Sequence, residues 1–212
     1  IENEIKTNKE PVVSLLKSWQ ASLYWSYYQQ MRWQLYNRTQ TVDFKQDDIA
    51  TWSVDDFHKK IAELYLGSIK EESLLQKTKP ELFEPIITKG NRRYLRPTLY
   101  DLLAHRALNY FQSDERDINK PAYPFEIDKA SACEPAADFV RAKFPTKDST
   151  SLQQKALFIY QKLIAFHLND TRPDALIDVD LQRIVFVNQK SVHPEKDQLY
   201  FNALNHIAQQ YP

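Results

Sequence analysis

The sequence predicts an all-α protein built from antiparallel helical hairpins. Three observations carry that expectation. Apolar residues recur at three- and four-residue steps through most of the chain, the spacing of one face of a helix. The 212 residues contain only two glycines, Gly67 and Gly90, too few for the positive-φ positions that tight strand hairpins demand. Helix-start residues, Ser53, Thr98 and Ser151, stand just before three of the periodic segments.

Taken in order, Val12, Leu15, Leu16, Trp19, Leu23, Tyr27, Met31 and Leu35 predict one long helix from Pro11 to about Tyr36, with Pro11 suited to a first turn. A second helix follows Ser53, whose hydroxyl can cap amides near Asp55 and Asp56. It carries Phe57, Ile61, Leu64, Tyr65 and Ile69 on one stripe, and Gly67 weakens it without ending it. Residues 76–97, with Pro80, Pro85 and Pro97, read as loops and short helical pieces, and an internal boundary of an otherwise single 1–212 domain would fall there.

Helix resumes at Thr98, with Asp101 as a capping partner and Leu99, Leu102, Leu103, Arg106, Ala107 and Tyr110 facing inward, and stops near Phe111. Residues 112–131 have no helical period and read as a loop pinned by aromatics such as Tyr123 and Phe125. A short helix from Pro135 to Phe144 follows. Ser151 and Gln154 match the capping box, and Leu152, Ala156, Ile159, Tyr160, Leu163, Phe166 and His167 continue its stripe. Two further helices, Pro173 to Gln189 and Glu195 to Gln210, are joined by short connections of the kind that link antiparallel neighbours.

Composition excludes several functions. Lysine and arginine number 28 and so do aspartate and glutamate, so no overall field draws the chain to nucleic acid or an anionic membrane. Two glycines more than twenty positions apart cannot make the phosphate-cradling loops of dinucleotide or triphosphate sites. The single cysteine, Cys133, cannot close an intrachain disulfide. No run approaches the ~18 apolar residues of a membrane span. The chain opens on Ile1 and reads as a fragment of a longer protein, with any export signal or lipid anchor lying outside it.

Candidate chemistry is sparse. No two of His58, His105, His167, His193 and His206 stand at the i, i+4 spacing of a metal pair, and His105 and His167 read as hydrogen-bonded interfacial residues. Asp170, Asp174, Asp178 and Asp180 have the wrong spacing for a calcium loop, so Asp170 and Asp174 read as caps of the helix that follows. No strained serine elbow is present, and no carboxylate pair stands out for glycoside hydrolysis. No cofactor is expected, no catalytic residue is nominated, and the chain reads as a non-enzyme.

Two clusters remain as candidate interaction surfaces. Tyr24, Trp25, Tyr28 and Trp33, with Tyr36 and Trp52 nearby, could present aromatic faces to a peptide or a sugar, although most aromatics on such a helix are expected in the core. Arg92, Arg93 and Arg96, with Lys89, could grip acidic groups, although a solvated loop needs no such role.

Two resemblances sharpen the reading. Tyr200-Phe201-Asn202-Ala203-Leu204-Asn205-His206-Ile207-Ala208-Gln209-Gln210-Tyr211-Pro212 resembles one helix of a tetratricopeptide unit, although no repeat of about 34 residues recurs, so the hairpins are expected to stack as a tetratricopeptide-like right-handed solenoid or an irregular bundle. The strings Leu23-Tyr24-Trp25-x-Tyr27-Tyr28, Asn37-Arg38-Thr39-Gln40-Thr41-Val42-Asp43-Phe44-Lys45, Leu95-Arg96-Pro97-Thr98-Leu99-Tyr100-Asp101 and Ile164-Ala165-Phe166-His167-Leu168-Asn169-Asp170 resemble the N-terminal helical region of alpha-2-macroglobulin-like proteins of Bacteroides-type bacteria. That resemblance implies an exported, envelope-associated parent whose family entraps proteases. The family's thioester motif is absent, since Glu134 and Pro135 follow Cys133. The expected role is therefore binding of protein, either other domains of the same chain or an envelope partner. A carbohydrate-binding helical surface module is the second reading.

Overall fold

The computed structural model describes residues 1–35, 48–88, 90–113 and 123–211. The expected end of the first long helix at Tyr36, the 37–45 string, Lys89, and the part of the 112–131 loop that includes Pro121 lie outside them. The protein is all-α: among the described residues there are nine α-helices and no strand, and the sole β-type pairing is an isolated bridge between Ile127 and Ser191. The chain divides into two compact units. One comprises Ile1–Phe83 with Thr98–Ala107, the other Glu84–Pro97 with Leu108–Pro212.

In the first unit, α1 (Glu2–Thr7) precedes α2 (Val12–Leu35) and α3 (Val54–Ser68). The sequence reading did not anticipate α1. It is a six-residue helix closed by the Asn8 side chain, which donates to the Glu4 carbonyl at 2.9 Å. Helices α2 and α3 run antiparallel, because Tyr28 packs on Phe57 near one end while Lys17 lies against Gly67 near the other. Gly67 sits inside α3, which ends one residue later at Ser68.

The buried face of α2 matches the apolar period only in part. Leu15 and Leu35 are buried as expected and Tyr28 joins them, but Val12 and Leu23 are exposed while Ser14, Ser18 and Ala21 are buried. Small residues win these positions because they let a neighbouring backbone approach closely, and Ser18 also accepts a hydrogen bond from Arg106 Nε at 2.9 Å. At the next boundary Ser53 and Asp56 form a reciprocal capping box. The Asp56 amide donates to Ser53 Oγ at 3.3 Å, and the Ser53 amide donates to Asp56 Oδ2 at 3.0 Å. A short α4 (Glu72–Leu75) then buries Leu75.

Helix α5 (Leu99–Phe111) starts with the same device: the Thr98 amide donates to Asp101 Oδ2 at 2.9 Å and the Asp101 amide to Thr98 Oγ1 at 3.3 Å. Leu99, Leu103, Ala107 and Tyr110 are buried, as their period predicts, with Leu102 and Arg106 half-buried. Because each of these hydroxyls satisfies an otherwise orphaned amide, Ser53→Ala and Thr98→Ala are each expected to cost about 1 kcal/mol, read as a lowered midpoint in urea titration.

The second unit is built from α6 (Ala136–Arg141), α7 (Leu152–His167), α8 (Asp174–Lys190) and α9 (Lys196–Gln210). Helix α6 ends three residues before the expected Phe144. Its last carbonyls are closed by Gln161 of α7, whose Nε2 donates to Phe139 at 2.9 Å and to Ala142 at 2.8 Å. Ser151 caps α7 by accepting from the Gln154 amide at 3.1 Å. Tyr160 of α7 meets Phe186 of α8 with ring centroids 5.8 Å apart, and Ile184 of α8 packs with Ala203 and Ile207 of α9. The loop before α6 is held by Ser191, whose hydroxyl donates to the Ile127 carbonyl at 2.8 Å.

Two buried phenols, one in each unit, give the two cores a measurable alkaline limit. Burial pushes the hydroxyl of Tyr100 far above its ordinary value of 10.0, with Glu72 and Asp101 adding to the effect. Burial does the same at Tyr160, against smaller opposing effects from the Gln112 hydrogen bond and Arg183. A raised folded value means a contribution to stability that is complete below about pH 10 and lost as pH rises beyond it. Phenolate absorbance from these two residues is therefore expected to appear together with loss of helical circular dichroism. Ionisation near pH 10 with helicity intact would show that they are not buried.

Candidate functional site

The aromatic cluster divides between core and surface. Tyr28 is 0% exposed, packed edge-on against His58 at 4.8 Å between centroids, and so takes no part in an interaction surface. Trp52 is also buried, stacked on Tyr24 at 5.2 Å. Trp25 is half-buried and stacked on Tyr28 at 5.5 Å. Trp33 is 72% exposed, with the Arg32 guanidinium 5.0 Å from its ring centroid. Tyr36 lies outside the described residues.

What the cluster builds is a groove of about 560 Å³ along α2. Its floor is Leu23, Tyr24 and Tyr27, joined by Ile1 and Ile49, and its polar positions are Glu2, Gln20, Ser26 and Gln30. Each tyrosine is backed by a core ring, Tyr24 by Trp52 and Tyr27 by Phe57 at 5.7 Å, which fixes its orientation. Glu2 Oε1 accepts from Gln20 Nε2 at 3.0 Å and from the Tyr24 hydroxyl at 3.3 Å, tying α1 to α2 at the groove. Burial, then Glu2, raises the Tyr24 phenol above its ordinary value, so it stays a neutral donor.

Of the groove residues only Tyr24 was singled out from the sequence. Tyr27 and Leu23 read there as core, and the exposure of Leu23, at 59%, is decided by the rotated burial face of α2. No sequence signal could have paired Glu2 with Gln20, eighteen positions away.

The arginines belong to the second unit. Arg93 Nη1 pairs with Glu84 at 2.6 Å and Arg96 Nη2 lies 3.8 Å from Asp178, while Arg92 is exposed. Two of the three are thus engaged in ion pairs rather than presented together as a basic patch. Lys89 lies outside the described residues.

The aspartates also separate by role. Asp174 opens α8, where its charge complements the helix dipole. Asp170 does not cap that helix. Its Oδ2 sits 2.7 Å from His167 Nδ1, because the turn carries the carboxylate back over the buried end of α7. His105 is buried, and its Nδ1 lies 2.8 Å from the Asp101 carbonyl one turn back in α5, a contact within the helix rather than across an interface. Among the described residues no group of three or more His, Cys, Asp and Glu could hold a metal, and no helix is long and apolar enough to cross a membrane.

One arrangement escaped the sequence reading. Arg183, 0% exposed, lies with its guanidinium 4.4 Å from the Phe139 ring centroid and pairs with Asp180, 4% exposed, through Nε at 2.8 Å. Its Nη1 donates to the Ala132 carbonyl, joining α8 to the turn before α6. No local signal marked the pair, since Ile177 to Val187 also carries Asp178 and Gln182 and charges three apart on a helix usually lie in water. Burial raises the Asp180 carboxyl above its ordinary value, and Arg183 opposes that rise.

Comparison with known proteins finds no matching family model, no matching curated protein and no matching solved structure.

Proposed function

We propose that this chain is a non-catalytic protein-interaction module, and that the α2 groove of the first unit takes an extended segment of a protein partner. The groove itself carries this reading. Aliphatic and aromatic side chains at Leu23, Tyr24, Tyr27 and Ile49 suit apolar side chains, while Gln20, Gln30 and Ser26 supply donors and acceptors for a peptide backbone. Glu2 gives the groove a negative charge, which favours a partner segment carrying a basic residue. A finer proposal, supported by the resemblance of the sequence strings, places the module in an envelope-associated alpha-2-macroglobulin-like parent with tetratricopeptide-like hairpin stacking.

The test is selection of binders from a randomised peptide display library on the whole chain, followed by the exposed variant Leu23→Arg. Enriched peptides should combine apolar and basic residues. The variant should weaken their binding at least about tenfold, with stability changed by less than about 0.5 kcal/mol. Peptides indifferent to the variant would remove the groove from the function. Response to a glycan panel in place of peptides would transfer the site to the carbohydrate reading, in which the two backed tyrosines stack on sugar rings.

A further inference from the structure

Among the described residues, the side-chain hydrogen bonds that hold α1 to the α2 groove all end on one oxygen. Glu2 Oε1 accepts from Gln20 Nε2 at 3.0 Å and from the Tyr24 hydroxyl at 3.3 Å. No residue of α1 is buried, and no side chain caps its start. Its end is closed by Asn8, whose Nδ2 donates to the Glu4 carbonyl at 2.9 Å and to Glu4 Oε2 at 2.7 Å. A six-residue helix is marginal in water on its own, so α1 depends on the surface it lies against. That surface is one end of the groove, where Ile1 joins the lining.

Glu2 takes the donors that a bound segment needs at this end. Gln20 is buried, and a buried amide donor must keep an acceptor, so Glu2 leaves at little cost only when another oxygen replaces it. A peptide carbonyl is such an oxygen. The freed carboxylate in turn finds a counter-charge in a basic residue of the partner. The charge preference of the groove and the release of α1 are then one event.

We propose that α1 is an autoinhibitory strap: docked, its Glu2 occupies Gln20 and Tyr24 in place of a partner's backbone carbonyl, and a bound segment carrying a basic residue displaces it from α2. The inference rests on the groove being the binding site. Apparent affinity is then the intrinsic affinity multiplied by the fraction of molecules with α1 undocked. Loosening α1 should therefore strengthen binding although it adds no contact.

The variant is Asn8→Ala, which removes the closing side-chain bonds of α1 at an exposed position outside the groove. The probe is the enriched display peptide whose binding Leu23→Arg weakens most. On the whole chain, Asn8→Ala should raise its affinity about twofold to fivefold and leave the urea midpoint unchanged. Binding of the same peptide to the unmodified chain should move the amide chemical shifts of Glu2–Thr7 toward unstructured positions, while α2 stays helical. If Asn8→Ala lowered the affinity or left it unaltered, or if the α1 amides stayed helical in the complex, α1 would be a fixed wall. Either result overturns the strap and leaves the groove in place. Absence of any peptide sensitive to Leu23→Arg would remove both.

Discussion

Replacing Asp180 with alanine is expected to destabilise the second unit by about 3–5 kcal/mol, because it strands the Arg183 guanidinium as an unpaired charge where no solvent reaches it. That is a large share of the ~5–15 kcal/mol by which domains of this size are stable, so much of the variant should be unfolded in mild urea. The effect measures the cost of breaking the pair, not its net worth. Burial raises the Asp180 carboxyl above its ordinary value of 3.8 despite Arg183. A raised folded value gives a contribution complete below about pH 3.8 and lost as pH rises, so the ionised pair is a net cost at neutral pH. The double variant Asp180→Leu with Arg183→Met is accordingly expected to be about as stable as the parent, or more so. Equal loss in single and double variants would show that the hydrogen bond to Ala132 and the stacking on Phe139 matter more than charge balance.

Phe57→Ala is expected to cost the first unit a comparable ~3–5 kcal/mol. Phe57 is fully buried and touches three other rings: Trp52 at 5.1 Å, Tyr27 at 5.7 Å and Tyr28 at 6.1 Å between centroids. Truncation removes the transfer free energy of the ring and leaves a void that the stiff neighbours of a close-packed cluster cannot fill. It also removes the backing of Tyr27, so the near-ultraviolet dichroism of the cluster should collapse with stability. Phe57→Leu, which fills most of the volume, should cost less than about 1.5 kcal/mol. If alanine cost no more than leucine, the cluster would be loosely packed and the groove it supports would lack a rigid floor.

These two sites show how far the sequence could be read. The capping residues Ser53, Thr98 and Ser151 were legible because a cap is a local device, made within three positions of the residue it serves. Phe57 was legible as core through its place in the α3 stripe. The pairing of Asp180 with Arg183 was hidden because charges three apart on a helix usually lie in water, and nothing local states that α6 and the preceding turn bury this face. The groove was hidden for the same kind of reason. Tyr24 and Tyr27 become its floor only because Trp52 and Phe57 back them, and Glu2 reaches it only because α1 folds back along α2.

The all-α class and most helix ends, from Leu99–Phe111 to Lys196–Gln210, were determined by sequence alone, since hydrophobic period, caps and glycine scarcity act within a few residues of one another. The inward stripes of α3 and α5 followed their apolar period, but which face of α2 turned inward was decided only by tertiary structure. On α2 the small residues Ser14, Ser18 and Ala21 displaced Val12 and Leu23 from the interior, and that choice left Leu23 exposed at the groove. The physical reason is that burial depends on how closely a partner backbone can approach, a property of two surfaces together, whereas helicity depends on one segment of chain.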